Sequence, residues 1–159
     1  MIVSNAMTNA TSTICSLPVP VAAAMLSAIV SAIVAFFVSM KTLRAQRLQH
    51  IENMITKLVD VGITYPNLEN DAFCANWNVA DKTDKEVMRY DNYCCLVFNL
   101  LETMWKYYRG NTGQIEDFFN AREEIIRHNQ WWKSQHENTK GYRDAFRAYV
   151  NSVIAGESL

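Results

Sequence analysis

Apolar and charged residues divide the chain into two parts that meet between Met40 and Lys41. No Lys, Arg, Asp or Glu precedes Lys41, and the segment from Val19 to Met40 reads VPVAAAMLSAIVSAIVAFFVSM, in which serine is the only polar residue type. About 20 such residues in a helix cover the hydrocarbon core of a bilayer, which is roughly 30 Å thick. The pattern predicts a transmembrane helix over residues 18–40, after an uncharged and disordered tail over residues 1–17.

Two other interpretations of the apolar segment fit less well. A cleaved signal peptide has a basic region before a shorter apolar run, whereas residues 1–17 carry no charge. A helix in the core of a soluble protein is rarely free of charge over so long a segment. A lipid-spanning helix, which satisfies its own backbone hydrogen bonds, is therefore the favoured interpretation.

The charges that flank the apolar segment predict its orientation. Lys41, Arg44 and Arg47 follow it directly, and no Lys or Arg precedes it. Because cytoplasmic flanks carry the excess of Lys and Arg, we expect an outside N-terminus and a cytoplasmic C-terminal domain. Asn9 begins a glycosylation sequon that is compatible with an outside tail. Cys15, in the same tail, could form an intermolecular disulfide in an oxidising compartment.

Small side chains recur every four residues within the apolar segment. This spacing places them along one face of a helix. Faces of this type let two helix backbones approach closely, and serine hydroxyls can hydrogen-bond across the contact. The sequence predicts a helix-packing face, used with a second copy of the chain or with another membrane subunit, that consists of Ala23, Ser27, Ser31, Ala35 and Ser39.

Apolar positions in the charged part recur with the three- to four-residue spacing of helices. They extend the membrane helix into a basic juxtamembrane stalk over residues 41–64, and residues 65–159 follow as a helical domain. No segment alternates with period two for long enough to be a convincing strand. The predicted fold class is all-α, with one N-terminal transmembrane helix continuing into a stalk and then a small cytoplasmic helical bundle.

Three helices are predicted inside the domain. The first begins at a capping box of Thr83 and Glu86, ends at Gly110, and is apolar almost all round, which predicts the most buried position. The second begins at Asn111 or Thr112, and the Trp131-Trp132 pair lies where it ends or bends. Its inward face is predicted from the positions Ile115, Phe118, Phe119, Arg122, Ile125 and Ile126. The last begins at about Tyr142.

Charge and glycine content argue against several functions. The chain has 15 basic and 16 acidic residues, a net charge of −1, so no basic surface for nucleic acid is expected. Only five glycines are present, and none forms a phosphate-binding loop. We therefore predict no cofactor and no nucleic-acid partner, and the sequence identifies no small-molecule substrate.

The residues that could carry catalysis or bind a metal form no recognised motif. Cys74, Cys94 and Cys95 lack C-x-x-C spacing and are expected to be reduced core residues. Glu124 and His128 share a helix face, but di-iron carboxylate bundles use Glu-x-x-His rather than the Glu-x-x-x-His found here. No catalytic or metal-binding residue is predicted.

Glu102 is the one acidic residue within the apolar stretch of the first domain helix. A carboxylate in such a helix is expected to be partly buried and paired with a cation. Arg122, Arg127 and His128 are the candidate partners, and the pair would hold two helices in register.

Aromatic residues are concentrated in two stretches of the domain, Trp105 to Tyr108 and Trp131-Trp132. Core packing is the default interpretation of both. A partner-binding surface that contains Trp131 and Trp132 is the second, because Trp and Tyr dominate interface hot spots. Contact with the membrane interface is the third.

Three short motifs follow one another in the domain: Tyr65-Pro66-Asn67-Leu68, Phe98-Asn99-Leu100-Leu101-Glu102 and His128-Asn129-Gln130-Trp131-Trp132. In this order of a stalk turn, an apolar helix with one Glu and a Trp pair, the chain resembles a loosely defined family of small bacterial membrane-anchored helical proteins without an assigned activity. The resemblance implies the same architecture and an inner-membrane location, and it implies no activity.

The favoured function is that of a non-catalytic, membrane-anchored interaction or scaffold protein, which associates through the small-residue face of its span. One alternative is an accessory subunit of a larger transport or respiratory complex. The other is an enzyme or metal protein whose site the sequence does not reveal.

Overall fold

The computed structural model describes residues 19–77, 84–134 and 141–156. These residues form helices and no strand, which confirms the all-α prediction. The helices are α1 (Val19–Thr64), α2 (Asp71–Ala75), α3 (Lys85–Tyr107), α4 (Thr112–Phe118), α5 (Ala121–Arg127), α6 (Asn129–Ser134) and α7 (Asp144–Ala155), with a 3₁₀ turn at Pro66–Glu69. Cys15, Thr83 and the predicted tail over residues 1–17 lie outside the described residues. Contacts divide the chain into residues 1–43 and residues 44–159, here called the N-terminal and C-terminal units.

In the N-terminal unit, helix α1 exposes its apolar side chains. The apolar part of α1 is long enough to cross a membrane, and none of it is buried within the described chain. The large side chains are more than half exposed at Leu26, Ile29, Phe36 and Phe37. The packing of this helix therefore differs from that of the core helix of a soluble protein, which is mostly buried.

In the C-terminal unit, the second half of α1 belongs to the core. Ile51 and Leu58 are buried, so this part of α1 packs against the rest of the C-terminal unit. The helix ends at Thr64, as the Tyr65-Pro66 pair predicts, because a residue that precedes proline is disfavoured in helical conformation.

Helix α3 is the central element of the C-terminal unit. Asp84 caps its first turn by accepting a hydrogen bond from the Glu86 N–H, at 2.7 Å. Nine of its side chains are buried, which bears out the predicted central position: Val87, Tyr90, Tyr93, Cys94, Val97, Phe98, Leu100, Leu101 and Met104. Helices α4 and α5 pack against it.

The stretch from Asn111 to Trp132, predicted as one helix that ends or bends at the Trp pair, forms three helices, so that prediction was wrong. The chain leaves helical conformation at Phe119, whose backbone is extended, and the Glu116 carboxylate accepts a hydrogen bond from the Arg122 N–H beyond the break. It bends again at His128. These breaks turn Phe118 and Ile126, two members of the predicted inward face, toward solvent.

An aromatic stack joins α6 to α3 and α7. The Trp131 ring stacks on Phe98 at 5.3 Å between centroids, and Trp132 lies 4.6 Å from the same ring. Both indole N–H groups donate hydrogen bonds, Trp131 to Asp91 at 2.7 Å and Trp132 to Asn151 at 3.0 Å. Core packing is therefore the role of this pair. The alternative of a partner surface at Trp131 and Trp132 is corrected, because both side chains are buried.

Candidate functional site

Helix α5 positions a cluster of polar side chains inside the C-terminal unit. His128, directly after α5, is fully buried, and its Nε2 atom lies 3.4 Å from the Glu124 Oε2 atom one turn earlier. On the other side of the ring, His128 Nδ1 lies 2.9 Å from the Tyr90 hydroxyl and 3.8 Å from the Cys74 sulfur. The cluster therefore joins α2, α3 and α5 through one imidazole.

The neighbours of His128 fix its donor and acceptor atoms. The Arg127 guanidinium donates to the other carboxylate oxygen of Glu124 at 2.5 Å, so this carboxylate is ionised and accepts hydrogen bonds only. We therefore assign the ring proton to Nε2, which points at Glu124. Nδ1 then accepts the Tyr90 hydroxyl proton. The 3.4 Å contact with Glu124 is longer than an ordinary hydrogen bond, so the Tyr90 contact is the stronger restraint.

Glu124, His128 and Cys74 bring an acid, an imidazole and a thiol side by side, as in a nucleophilic catalytic site. The pKa shifts in this cluster oppose that chemistry. Burial raises the pKa of the Cys74 thiol and raises the pKa of the Tyr90 hydroxyl far above its ordinary value. The Cys74 thiol also donates to the Leu68 carbonyl at 3.3 Å. Activated nucleophiles have lowered pKa values and open to a cleft, so the arrangement suits a structural role.

A surface groove of about 360 Å³ lies beside the cluster, between α2 and α5. Its lining includes Asp71, Glu123, Ile126 and Arg127 and does not include the imidazole of His128. Arg127 lies at the boundary, because it pairs with Glu123 at 2.9 Å and with Asp71 at 3.5 Å in addition to Glu124. The groove is thus separated from the buried cluster by a network of ion pairs.

The predicted ion pair has a different acidic member. Arg127 and His128 do contact a partly buried carboxylate, but that carboxylate is Glu124 rather than Glu102. The Glu102 side chain accepts a hydrogen bond from the Arg143 backbone N–H at 2.9 Å, next to the first turn of α7. Among the described residues, Arg122 reaches neither Glu102 nor Glu124 by an ion pair. The prediction was therefore wrong in its pairing: Glu124 pairs with residues three and four positions further along the chain, whereas Glu102 on α3 reaches the start of α7.

Acid is expected to destabilise the C-terminal unit through Glu124. Burial alone would raise its pKa, but the contact with His128 and the charge of Arg127 outweigh burial and hold the pKa below its ordinary value of 4.5. A carboxyl group with a lowered pKa stabilises the fold above its unfolded-state pKa and loses that contribution as the pH falls through the folded-state pKa. The free energy of unfolding, measured by denaturant titration, should fall as the pH drops below about 4.5.

Two conservative variants separate this effect from general acid sensitivity. Glu124→Gln should remove much of the pH dependence in that window. Burial raises the pKa of Glu116, so its protonation favours the folded state, and Glu116→Gln should make the acid-induced loss steeper. A Glu124→Gln protein with the acid profile of the unaltered chain would contradict the assignment.

The predicted residues of the membrane segment all lie on α1. The small-residue face is exposed along the helix, and so are the three basic residues that follow the apolar run. The face consists of Ala23, Ser27, Ser31, Ala35 and Ser39, and the basic residues are Lys41, Arg44 and Arg47. The described chain therefore leaves the small-residue face uncovered. Arg44 has one contact that the sequence did not predict, because its Nε atom lies 3.4 Å from the Tyr107 hydroxyl.

Sequence reasoning missed Tyr90 as a member of the buried cluster and assigned Cys74 to the core without its imidazole neighbour. Tyr90 and His128 are separated by 38 positions, and no local spacing connects them. The four-residue spacing of Glu124 and His128 was the available signal. It located the imidazole and its carboxylate but not the hydroxyl.

Any inference about function rests on the sequence and structure of this chain alone. No protein-family model matches the chain, and neither a curated protein nor a solved structure shows significant similarity to it.

Proposed function

We propose that the protein is a membrane-anchored interaction or scaffold protein, in which the apolar part of α1 crosses a bilayer and the C-terminal unit contacts partners from the cytoplasm. The observation that carries the proposal is the exposure of α1. Its large apolar side chains between Met25 and Met40 are about half exposed or more. Such a continuous apolar surface is far larger than a soluble monomer leaves uncovered, and lipid is the solvent that suits it.

The orientation follows from the basic flank. Lys41, Arg44 and Arg47 are exposed on α1, where they can remain on the cytoplasmic side of the inner membrane of a bacterium. Protease added to spheroplasts, in which the outer membrane has been opened, should then leave the C-terminal unit uncut. Cleavage within that unit would contradict the orientation.

The small-residue face supports association within the membrane. Serine and alanine let another helix approach the backbone of α1, whereas Ile29 and Ile33 on the opposite side would keep it farther away. Replacing Ser31 and Ala35 with leucine should abolish association in a membrane two-hybrid assay, because the larger side chains separate the backbones. The matched control, Ile29→Leu with Ile33→Leu, changes the opposite side and should associate like the unaltered chain.

Purification from native membranes in mild detergent distinguishes a second copy of the chain from other subunits. A homo-oligomer supports the proposed scaffold. Stoichiometric transport or respiratory subunits would support the accessory-subunit alternative instead. Equal association of the leucine double variant and the unaltered chain would remove this face from the proposal.

A further inference from the structure

A group of aromatic side chains lies at the corner between α3 and α4, and we call Tyr107, Tyr108 and Phe118 the aromatic corner. The two tyrosine rings meet edge to face at 4.9 Å, and Phe118 lies 6.4 Å from Tyr108. Phe118 is 40% exposed, and both tyrosines are partly exposed. These rings cover one another only in part, so they leave an amphipathic aromatic surface.

The end of α3 gives this corner its shape. Arg109 has a φ of 55° and Gly110 a φ of 77°, both in the left-handed region. The Gly110 N–H bonds to the Trp105 carbonyl at 2.9 Å, and the Arg109 N–H to the Lys106 carbonyl at 3.3 Å. This is the hydrogen-bond pattern of a Schellman motif, which ends a helix in a tight turn. The turn is therefore an ordered feature of the fold.

Basic residues lie next to the aromatic corner along the chain. Lys106 and Arg109 are exposed on either side of the tyrosine pair, and Arg44 contacts the Tyr107 hydroxyl. Asp117, next to Phe118, is an exposed carboxylate at the same corner. The sum of these charges is positive, which is complementary to anionic lipid headgroups.

Chain connectivity keeps Arg44 close to any bilayer that α1 enters. Arg44 follows Met40, the last residue of the apolar run, by four positions in a continuous helix. Four helical residues rise about 6 Å, and the headgroup layer on each side of the hydrocarbon core is about 5–7 Å thick. A side chain that contacts Arg44 is thus within reach of the headgroups.

We propose that the aromatic corner docks on the anionic surface of the bilayer that α1 crosses, with its rings at the headgroup level and Lys106 and Arg109 on lipid phosphates. Tyrosine is enriched at membrane–water interfaces because its ring is apolar and its hydroxyl polar. The inference rests on the proposed membrane span. It adds that the C-terminal unit has its own lipid contact.

Spin-label accessibility in nanodiscs tests the proposal on the full chain. The parent protein carries Cys15→Ser and Cys95→Ser, and the buried Cys74 and Cys94 remain. Single cysteines for the label are introduced as Asp117→Cys beside the aromatic corner, Met88→Cys at an exposed position near the start of α3, and Phe37→Cys in the apolar run. Collisions with oxygen, which enters lipid, are compared with collisions with a water-soluble nickel chelate.

In nanodiscs that contain phosphatidylserine, we expect the label at position 117 to collide with nickel several-fold less than the label at position 88 and to remain accessible to oxygen. Arg109→Gln should lower the docking equilibrium about fivefold, since a cation near an anionic surface contributes about that factor. In nanodiscs made of phosphatidylcholine alone, nickel should also reach position 117 more readily than in nanodiscs that contain phosphatidylserine.

Three other outcomes would each contradict either the lipid contact or the membrane span. Equal nickel access at positions 117 and 88, with position 37 in hydrocarbon, would overturn the lipid contact and leave the membrane span intact. Nickel access at position 37 would overturn the span itself. Protection of position 117 from both oxygen and nickel would mean that protein covers the aromatic corner, and it would also overturn the lipid contact.

Discussion

Replacing Trp131 with alanine is expected to lower the free energy of unfolding of the C-terminal unit by about 3–5 kcal/mol, the range measured for truncating buried aromatic residues. The indole stacks on Phe98 and donates to Asp91, so the variant leaves a cavity and also removes a donor from a partly buried carboxylate. Because domains of this size are stable by only about 5–15 kcal/mol, the loss is a large fraction of the total.

The measurement is denaturant unfolding of the full chain in nanodiscs, followed by near-ultraviolet circular dichroism. Lys133→Ala is the matched control, since this side chain is exposed on the same helix, α6. Its effect should stay within about 0.5 kcal/mol. A Trp131→Ala protein as stable as the Lys133→Ala protein would show that the aromatic stack does not hold α6 in place.

A double substitution of Ile29 and Ile33 by arginine is expected to remove the protein from the membrane fraction. Both side chains are exposed on the apolar part of α1, where lipid would surround them. Each arginine near the centre of a transmembrane helix costs about 2.5–3.5 kcal/mol of insertion free energy. Alkaline carbonate extraction of membranes, followed by immunoblotting, measures the retained fraction.

The control for this variant is Ile29→Leu with Ile33→Leu, which keeps the segment apolar and should be retained. If the arginine variant also resisted extraction, the apolar part of α1 would not be what holds the protein in the membrane. A freely soluble unaltered chain would contradict the membrane span more directly.

The long helices could be predicted from the sequence because their signals are local. Helix α3 carries its apolar spacing over more than 20 residues, and α1 ends where Tyr65-Pro66 follows it. The breaks at Phe119 and His128 could not be predicted in the same way, because no glycine or proline marks either of them. Ile115 and Ile125 are buried in one core, and the extended backbone at Phe119 lies between them in the chain. Their burial outweighs the single helix that the uniform apolar spacing predicts.

The candidate site was predictable only where its members share a helix. Glu124 and His128 are one turn apart, so their spacing revealed their contact. Cys74 reaches the same imidazole across 54 positions, a proximity that only the packing of α2 on α5 creates. The assignment of Glu102 failed for the same reason. Its partner is a backbone N–H at the start of α7 rather than a charged side chain, and residue types alone do not reveal such a donor.

The position of α5 has a consequence for the order in which the chain acquires its structure during synthesis. This seven-residue helix packs against α2, α3, α4, α6 and α7, and isolated helices shorter than about 12–15 residues are marginal in water. It therefore has little structure of its own until α7, the last helix among the described residues, has been synthesised. The apolar part of α1 emerges long before that point, so the proposed insertion of α1 into a bilayer would precede the cooperative folding of the rest.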